Sequence, residues 1–413
     1  MSDTIAAIAT GAQVAAIGII RLSGPEAIAI ADRLFTPRAG RRMSERADRS
    51  LVYGTLRSRS GEILDICLCT VSRAPNSYTG EDTAELQCHG SPVVLRTALE
   101  EMFALGARQA GPGEFTKRAF LNGRMELTAA EAVADLIDAE TAESARNAAG
   151  QLSGAIAGKT DAIYSSLADI SSHYHAVLDY PDEDIEDFTL QSYVGTMDAA
   201  LTALRRLLST FERGRLLNSG IPAAIVGRPN VGKSSLLNAL VGYDRAIVTS
   251  VAGTTRDTIE EKLRLGGLTL RLVDTAGIHE TSDAVERLGV ERSRRAMESA
   301  RLVIAVIDGS VGLTDGDMEI IRAAEAAPKA LVVVSKLDIS SRAPEIGTIL
   351  PVVRLSSVTG EGIDLLEKTV AELFPLPAVP AGEILTNSRQ ADAVSRAVEY
   401  MEAARQAMND GMT

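Results

Sequence analysis

The sequence predicts an α/β protein of several domains, in which a doubly wound sheet is inserted into an all-α helical domain and an α+β domain precedes both. Three observations lead to this prediction. The chain has 413 residues, too many for one hydrophobic core. Apolar runs of strand length alternate with helical stretches between residues 221 and 355. Long helical patterns lie on both sides of that region.

The N-terminal part of the chain has the pattern of an α+β domain. An apolar run over residues 14–22 stops at a Ser-Gly-Pro turn, and residues 26–34 have helical spacing. Residues 51–56 and 63–71 alternate like half-buried strands, and a short strand follows at 83–88. We therefore expect a first domain over residues 1–118.

The acidic balance of the chain limits its contacts with nucleic acid. A formal net charge of −13 and a pI near 5.0 argue against non-specific coating of RNA or DNA, so any such contact must be local. One basic segment contains Arg38, Arg41, Arg42, Arg46 and Arg49. We favour a solvated loop for this segment over an edge that contacts phosphate.

Cysteine content and hydropathy argue against a secreted or membrane protein. Cys67, Cys69 and Cys88 form an odd set without a C-x-x-C pair, as expected for small core residues in a reducing compartment. The sequence contains no run of about 18 apolar residues and no signal-peptide pattern. We expect a cytoplasmic protein with no membrane partner.

Two segments, residues 74–82 and 111–124, are rich in turn-forming, aromatic and charged residues and have no regular face. Glu85 follows the first segment inside a predicted strand, where a carboxylate is costly unless it pairs or binds a ligand. The segments are either ordinary connections or the lining of a pocket for an anionic, aromatic small molecule. The pattern leaves both interpretations open.

Helical patterns dominate the region after these loops. Thr128 and Glu131 have the spacing of a capping box at the start of one long helix that continues toward Leu152. Further helices are predicted over 159–177 and 190–217, and another after a Pro/Gly linker at 378–382. We therefore expect a helical domain in two parts, residues 119–215 and 378–413, around an inserted domain at 216–377.

The inserted domain opens with a complete G-x-x-x-x-G-K-S phosphate loop, residues 227–234. The loop follows the apolar run 221–226 and precedes a helical stretch. In that context backbone N–H groups surround a phosphate, Lys233 reaches the terminal phosphates, and the Ser234 hydroxyl can ligate Mg²⁺. A chance match to a glycine-rich turn is the alternative, and the flanking strand and helix argue against it.

The other strands of this domain predict the Ras-like variant of the doubly wound fold. Apolar strands at 268–274, 302–308, 330–334 and 352–355 alternate with helices, which specifies a mostly parallel sheet. Residues 259–265 join the first of these strands through Gly266-Gly267, which adds an antiparallel edge strand.

Two segments could sense a terminal phosphate, and a third could select the base. Residues 253–257 offer hydroxyls, and residues 274–277 offer a carboxylate and a glycine N–H. In Ser335-Lys336-Leu337-Asp338, the Asp338 carboxylate can accept two N–H groups of guanine, which favours GTP over ATP. Ser335 replaces the usual asparagine, which is expected to weaken the contact with guanine N7 and the bracing of the loop.

We predict nucleotide contacts for three groups of residues. The phosphate-loop group is Asn230, Val231, Gly232, Lys233, Ser234 and Ser235. The phosphate-sensing group is Thr249, Ser250, Val251, Ala252, Gly253, Thr254, Thr255, Asp274, Thr275, Ala276 and Gly277. The base group is Ser335, Lys336, Asp338, Ser356, Ser357 and Val358.

Hydrolysis needs a group that orients water, and Ile278 stands where Ras-type enzymes have a glutamine. Glu286 is a candidate general base, with an exposed helix residue as the alternative. Asn230 is either a brace for the loop or a ligand of a monovalent cation. The carbonyl groups that could complete such a cation site belong to Thr249, Val251 and Thr254.

These motifs resemble the TrmE/MnmE family of tRNA-modification GTPases over essentially the whole chain. The family-like segments beyond the generic GTPase motifs are residues 20–24, 75–82, 85–87, 112–122 and 283–287. The resemblance implies an N-terminal domain that binds a tetrahydrofolate one-carbon derivative and forms a homodimer. It also implies potassium-stimulated GTP hydrolysis in which the two GTPase domains of the dimer meet.

The resemblance further implies an FAD-dependent GidA/MnmG-type partner and a reaction at position 5 of the tRNA wobble uridine, where a carboxymethylaminomethyl or aminomethyl group is installed. The implied folate contacts are Arg21, Glu85 and Arg124, and the implied catalytic residues are Glu286 and Lys233. The implied Mg²⁺ ligands are Ser234 and Thr255, and the implied K⁺ ligands are Asn230, Thr249, Val251 and Thr254.

Two departures from the family pattern stand out. Arg124 occupies a position where the family often has lysine, and the family's C-terminal cysteine motif does not occur before Thr413. The second departure leads us to expect an incomplete helical domain. The alternative function is that of an Era- or Der-like GTPase in RNA or ribosome assembly, and an Era-like protein would carry a KH-type RNA-binding module, which the pattern does not predict.

Overall fold

The computed structural model describes residues 3–179, 190–243, 262–273, 294–340, 344–375 and 379–410. The chain divides into two compact units, residues 1–134 and 135–413. Among the helices of the described ranges, none combines the length and the apolar character needed to cross a lipid bilayer.

The first unit is built on a seven-stranded sheet. Its strands are β1 Ile5–Ile8, β2 Ala15–Ser23, β3 Phe35–Pro37, β4 Val52–Arg57, β5 Ile63–Ser72, β6 Thr83–Gly90 and β7 Arg108–Gln109. The order across the sheet is β3-β4-β5-β6-β2-β1-β7, and every pair is antiparallel except β1 with β7. The expected α+β character is confirmed.

Helices pack on one face of this sheet because alternate strand residues are apolar. The helices of the unit are α1 Ala27–Leu34, α2 Pro92–Ala104, α3 Glu114–Leu121 and the start of α4 Leu127–Ile137. Ile20, Leu22 and Leu86 from the sheet are fully buried with Ile30 of α1 and Met102 of α2. The three cysteines are free and belong to the same core, and burial raises the pKa of Cys69 to about 12, as expected for inert core thiols.

The second unit contains a six-stranded sheet. Its strands are β8 Ile221–Val226, β9 Lys262–Leu265, β10 Leu268–Leu272, β11 Leu302–Asp308, β12 Ala330–Ser335 and β13 Val352–Arg354. The order is β13-β12-β11-β8-β10-β9, parallel throughout except for the hairpin partner β9. This order is the predicted Ras-like arrangement with one antiparallel edge, so the fold class is confirmed.

Both faces of this sheet are covered, which explains why its strands read as continuous apolar runs. One core joins Ala223 and Ile225 to α9 Lys233–Tyr243 and α11 Ile363–Leu373. The other joins Ala224 and Val226 to α10 Asp315–Glu325 and to the helical residues 294–299.

A helical bundle completes the second unit. Its helices are α5 Ala142–Leu152, α6 Ala155–Asp179, α7 Leu190–Leu208, α8 Phe211–Ser219 and α12 Ser388–Asn409. Leu201 and Leu204 of α7 pack against Val394 and Val398 of α12 in one core.

Buried polar contacts tie the segment before α12 to α5. The Asn147 amide donates to the carbonyl oxygen of Ile384 at 3.1 Å and accepts from the backbone N–H of Gly382 at 3.0 Å. A Cβ added to Gly150 would lie 2.6 Å from backbone atoms of Ala381 and Gly382, so glycine is required for this close approach.

Local details differ from four of the predictions. Residues 128–152 do not form one helix, because α4 ends at Ile137 and Thr141 caps a new helix by accepting from the Ser144 N–H at 3.1 Å. Thr128 lies inside α4, which begins at Leu127, so the predicted capping box is wrong.

The other two differences concern residues 190–217 and 111–124. The first range holds two helices, α7 and α8, which are separated at Ser209 and Thr210. The second range contains α3, a regular helix that follows Gly113 in the left-handed region at φ 68°. Because only a local backbone conformation marks this start, hydrophobic periodicity did not reveal it.

Candidate functional site

The phosphate loop of the second unit lies between β8 and α9, as the sequence predicts. A Cβ on Gly227 would lie 2.5 Å from the carbonyl oxygen of Val306, so a larger residue would push the loop off β11. Asn230 and Gly232 both have positive φ, 64° and 100°, which turns the chain back into the start of the helix. The loop therefore has the curled shape in which backbone N–H groups converge on an anion.

Lys233 extends across this loop. Its ammonium group donates to the carbonyl oxygens of Gly227 and Arg228, each at 2.8 Å. Burial lowers its pKa, because the charged form loses solvent. A phosphate placed beside it would restore a favourable environment for the charge.

Arg228 anchors the loop to a neighbouring helix. Its guanidinium donates to the Thr314 hydroxyl at 2.5 Å and to the carboxylate of Asp317 at 3.2 Å. Thr314 and Asp317 form the capping box that starts α10, and the Asp317 side chain is only 4% exposed. Since the Arg228 carbonyl also holds Lys233, this anchor positions the lysine.

The end of β12 braces the same loop from the other side. The Ser335 hydroxyl, 1% exposed as a residue, lies 2.5 Å from the carbonyl oxygen of Val231 and 3.0 Å from that of Ile307. The loop bracing that was expected to weaken with serine in place of asparagine is therefore supplied by the hydroxyl.

Lys336 links three parts of the site. It has a left-handed backbone at φ 59°, and its ammonium group donates to the Asn230 carbonyl at 2.7 Å and to the Asp308 carboxylate at 2.6 Å. Burial opposes ionisation of Asp308, but hydrogen bonds from Lys336 and Ser310 outweigh it and lower the pKa of Asp308. Lys336 thus joins the base group to the phosphate loop by a hydrogen bond and to the end of β11 by an ion pair.

Asp338 is held next to the other predicted base segment. The Ser356 hydroxyl donates to the Asp338 carboxylate at 2.6 Å and accepts from the backbone N–H groups of Val358 and Thr359, each at 3.2 Å. Asp338 itself is exposed, so its carboxylate is accessible to a ligand. Asp338 and the segment 356–358, which are 18 or more residues apart in sequence, are brought together.

The remaining predicted residues of this site lie outside the described part of the chain. They are Thr249, Ser250, Val251, Ala252, Gly253, Thr254, Thr255, Asp274, Thr275, Ala276, Gly277 and Glu286.

Two predicted cation ligands are described. Ser234 lies in the first turn of α9, directly after Lys233. Asn230 is exposed at the turn of the loop. Within the described ranges no three His, Cys, Asp or Glu side chains converge on a metal position.

A second site candidate lies in the first unit, around Arg21 and Glu85. These residues are direct neighbours across β2 and β6, and the Arg21 guanidinium donates to the Glu85 carboxylate at 2.6 Å. The Arg21 guanidinium also lies 5.4 Å from the ring centroid of Tyr78 and 5.6 Å from that of Phe115. An ion pair between two aromatic faces can recognise a flat polar ring.

The two turn-rich segments of the sequence meet beside this pair. The Tyr78 and Thr116 hydroxyls are 2.9 Å apart, and the Asn122 amide donates to the Thr79 carbonyl at 2.7 Å. Arg124 is exposed and lies close to Gly80, where an added Cβ would be 3.2 Å from the Arg124 Cγ. Arg21 and Arg124 therefore both lie beside the loop of residues 74–82, and Glu85 is joined to this group through Arg21.

Sequence reasoning missed the residue that holds this arrangement, Arg118. Its guanidinium, with 10% of the side chain exposed, donates to Glu81 at 2.9 Å and to Glu114 at 3.0 Å. The Ser23 hydroxyl donates to the same Glu81 carboxylate at 2.7 Å. The available signal was the i,i+4 spacing of Glu114 and Arg118, which has meaning only once α3 is recognised.

Glu114 is the most perturbed carboxyl of this network. Hydrogen bonds from Arg108, with others from the Gly111 N–H and Arg118, lower the pKa of Glu114 to about 2. The Glu114 carboxylate therefore stays charged over the whole physiological pH range.

Two family models match the chain. Residues 4–124 match the model described as GTP-binding protein TrmE N-terminus, and residues 127–413 match the MnmE helical domain. Together these matches cover both units.

Curated relatives match over nearly their whole length. The tRNA modification GTPase MnmE of Symbiobacterium thermophilum is 42% identical over 417 residues, which is 99% of this chain and 91% of the relative. The protein of the same name from Bacillus subtilis is 40% identical over 418 residues, 100% of this chain and 90% of the relative. A solved structure of Era with a 16S ribosomal RNA fragment is 29% identical over 38% of this chain and 57% of that chain, with a TM-score of 0.27.

Proposed function

The chain belongs to the TrmE/MnmE family of tRNA-modification GTPases, and from this membership we propose that it is a potassium-stimulated GTP hydrolase that drives 5-carboxymethylaminomethyl or aminomethyl modification of the tRNA wobble uridine. The observation that carries the proposal is the link between the phosphate loop and the base segment. Ser335 and Lys336 bond to the loop at Val231 and Asn230, and Asp338, with its partner Ser356, follows Lys336 by two residues. One nucleotide can therefore contact Lys233 and Asp338 together.

The nucleotide contacts proposed for this chain follow from that geometry. Backbone N–H groups of the curled loop and the Lys233 ammonium bind the phosphates. Asp338 accepts from the guanine ring, while Ser356 fixes its carboxylate and places the N–H of Val358 nearby. The full proposed set adds the phosphate-sensing residues 249–255 and 274–277.

Cations complete the proposed nucleotide site. Ser234 and Thr255 are the proposed Mg²⁺ ligands, and Asn230, Thr249, Val251 and Thr254 are the proposed K⁺ ligands. Bound cations supply positive charge beside the phosphates. Ser234, at the helix start after Lys233, supports the first assignment, and the exposed turn position of Asn230 supports the second.

Glu286 is the proposed general base. Ile278 has no hydrogen-bonding group with which to orient water, so a nearby carboxylate has to accept the proton of the attacking water. Removing this group is expected to slow turnover without removing the contacts that bind the nucleotide.

The first unit is proposed to bind a tetrahydrofolate one-carbon derivative at Arg21, Glu85 and Arg124. The bound folate supplies the one-carbon group for the modification. The support is the ion pair of Arg21 and Glu85 flanked by two aromatic rings, because a pterin is flat and presents N–H donors to a carboxylate.

The proposal also covers the oligomeric state, the partners and the domain boundaries of the protein. We propose a cytoplasmic homodimer that works with an FAD-dependent GidA/MnmG-type protein on tRNA. The proposed domains are residues 1–118 for folate and dimerisation, 119–215 and 378–413 for the helical part, and 216–377 for the GTPase. The match of residues 4–124 to the TrmE N-terminus favours this proposal over the Era-like alternative.

The deciding experiment compares Glu286→Ala with the wild type and with Glu298→Ala, an exposed helical glutamate of the same domain. The expected result is unchanged GTP affinity for both variants, with turnover lost only in Glu286→Ala and wild-type turnover faster in potassium than in sodium. Wobble-uridine modification in a deletion strain provides the second readout. Near-normal turnover of Glu286→Ala would remove the general-base assignment, and a wild-type chain that neither binds nor hydrolyses GTP would refute the function.

A further inference from the structure

The first unit carries a local concentration of positive charge in an acidic chain. Residues 32–49 hold six arginines and three carboxylates, whereas the whole chain has a formal net charge of −13. Most of this segment is the connection between β3 and β4, and we call residues 38–49 the arginine loop.

The backbone of the arginine loop is held in place at its centre. Met43 is fully buried, and the Asp32 carboxylate accepts from the backbone N–H groups of Met43 and Ser44 at 2.7 and 3.2 Å. The Arg46 guanidinium donates to the carbonyl oxygens of Arg41 and Ala39 at 3.0 and 2.5 Å. Arg46 therefore acts as an internal brace of the arginine loop.

A second brace comes from Arg73, which follows β5. Its guanidinium donates to the Ser44 carbonyl at 2.6 Å, the Arg46 carbonyl at 3.1 Å and the Asp48 carboxylate at 2.5 Å. Asp32 and Asp48, two of the three carboxylates of the segment, are thus engaged inside the loop and do not neutralise its outer arginines.

Three arginines of the arginine loop lie on its surface. Arg38, Arg41 and Arg42 are exposed, and the Arg38 guanidinium lies 5.8 Å from the ring centroid of Tyr53. Tyr53 itself is 47% exposed. Because the loop is already ordered, these guanidinium groups bind a partner with little loss of backbone entropy.

We propose that the arginine loop contacts the phosphate backbone of RNA, with Arg41 and Arg42 on phosphates and Tyr53 as a stacking face. The inference rests on the proposed function, which makes tRNA the substrate, and assigns a surface to it. Guanidinium groups match phosphate oxygens in pairs, and an exposed aromatic beside them accepts an unstacked base. The sequence alone favoured a solvated loop, and the two internal braces are what change that interpretation.

The test measures binding of fluorescently labelled tRNA to the full chain by anisotropy over a series of NaCl concentrations. Arg41→Ala/Arg42→Ala is expected to bind about tenfold more weakly at about 0.1 M salt. Its slope of log affinity against log salt should fall by about 1.4 to 1.8, since each phosphate contact contributes about 0.7 to 0.9. Arg41→Lys/Arg42→Lys should retain most of the tRNA affinity and most of the salt dependence of the wild type.

The matched control is Arg206→Ala/Arg213→Ala, which removes the same charge from exposed helical positions of the other unit. It is expected to bind tRNA nearly as the wild type does. An equal loss in the control, an unchanged slope in the loop variant, or a wild-type chain that does not bind tRNA would each overturn the proposal. So would unchanged tRNA binding with lost binding of the FAD-dependent partner, which would assign the loop to a protein.

GTP turnover of the same four proteins separates this inference from the proposed function. All four are expected to hydrolyse GTP at the same rate, because no residue of the arginine loop belongs to the nucleotide site. Absent turnover in the wild type would refute the proposed function, and the tRNA measurements would still decide the role of the loop.

Discussion

The Ser335 hydroxyl lies 2.5 Å from the carbonyl oxygen of Val231, so the end of β12 is bonded directly to the phosphate loop. From the sequence alone, serine in place of asparagine at this position is expected to weaken the bracing of the loop. The buried hydroxyl keeps the structural contact, although it has one proton to share between Val231 and Ile307.

This contact predicts the behaviour of Ser335→Ala. The substitution leaves two buried carbonyl oxygens without that donor, at a cost of about 1 kcal/mol, and should weaken GTP binding about fivefold. Ser335→Asn, whose amide has two protons, should bind GTP at least as tightly as the wild type. Titration with a fluorescent guanine nucleotide measures both. Ser299→Ala, which removes a hydroxyl that bonds within its own helix, is the control, and equal affinities for all variants would contradict the bracing role.

Because Arg228 anchors the phosphate loop to α10, we expect substitutions at Arg228 and Asp317 to affect GTP binding and folding stability differently. Arg228→Gln should weaken GTP binding several-fold with little change in unfolding temperature, because it frees the loop carbonyl that holds Lys233. Asp317→Ala should also lower stability by about 1 kcal/mol, since it removes a helix cap. Calorimetry and nucleotide titration measure the two effects. Arg322→Gln, at an exposed position of α10, should change neither quantity.

The lowered pKa of Glu114 predicts that the first unit loses folding stability in acid. Its folded pKa, about 2, lies below the ordinary value of 4.5, so its stabilising contribution is complete above about pH 4.5 and is lost as the pH falls toward 2. The urea midpoint of the first unit should therefore fall across this window. Glu114→Gln should flatten the fall and lower the midpoint at pH 7. A wild-type midpoint that is constant from pH 4.5 to pH 2 would show that the network does not support folding.

Glu85 predicts the ligand specificity of the first unit. Glu85→Gln keeps the shape of the side chain but removes the charge that pairs with Arg21, and folate binding should weaken at least tenfold. Glu100→Gln, at an exposed position of α2, is the control. Equilibrium dialysis of a reduced folate against the full chain measures the loss. Tight binding by Glu85→Gln would move the ligand site away from this pair.

Strong local signals in the sequence were reliable for the fold. The phosphate loop, the apolar strands of the parallel sheet and the Gly266-Gly267 hairpin were all predicted, because each depends on residues that are close in sequence. The start of α3 was missed, since Gly113 has to adopt a left-handed backbone before the helix is recognisable.

Most features that the sequence did not predict depend on contacts between segments that are distant in the chain. In the sequence nothing distinguishes Arg118 from other basic residues. Only the fold shows that it bonds to Asp3, Glu81 and Glu114. The same is true of Arg73, which gives the arginine loop its order across 27 positions of sequence. Sequence patterns identify such residues as charged but do not identify their partners.

The contact between Asn147 and Ile384 spans 237 positions of the chain. During synthesis at about 5 to 20 residues per second, α5 emerges from the ribosome roughly 10 to 50 seconds before its partner segment exists. Helices α5 to α8 therefore lack their contacts with the segment before α12 and with α12 itself until the domain with the parallel sheet has been synthesised. Nascent chains stalled before residue 381 should therefore be the form most readily captured by chaperones.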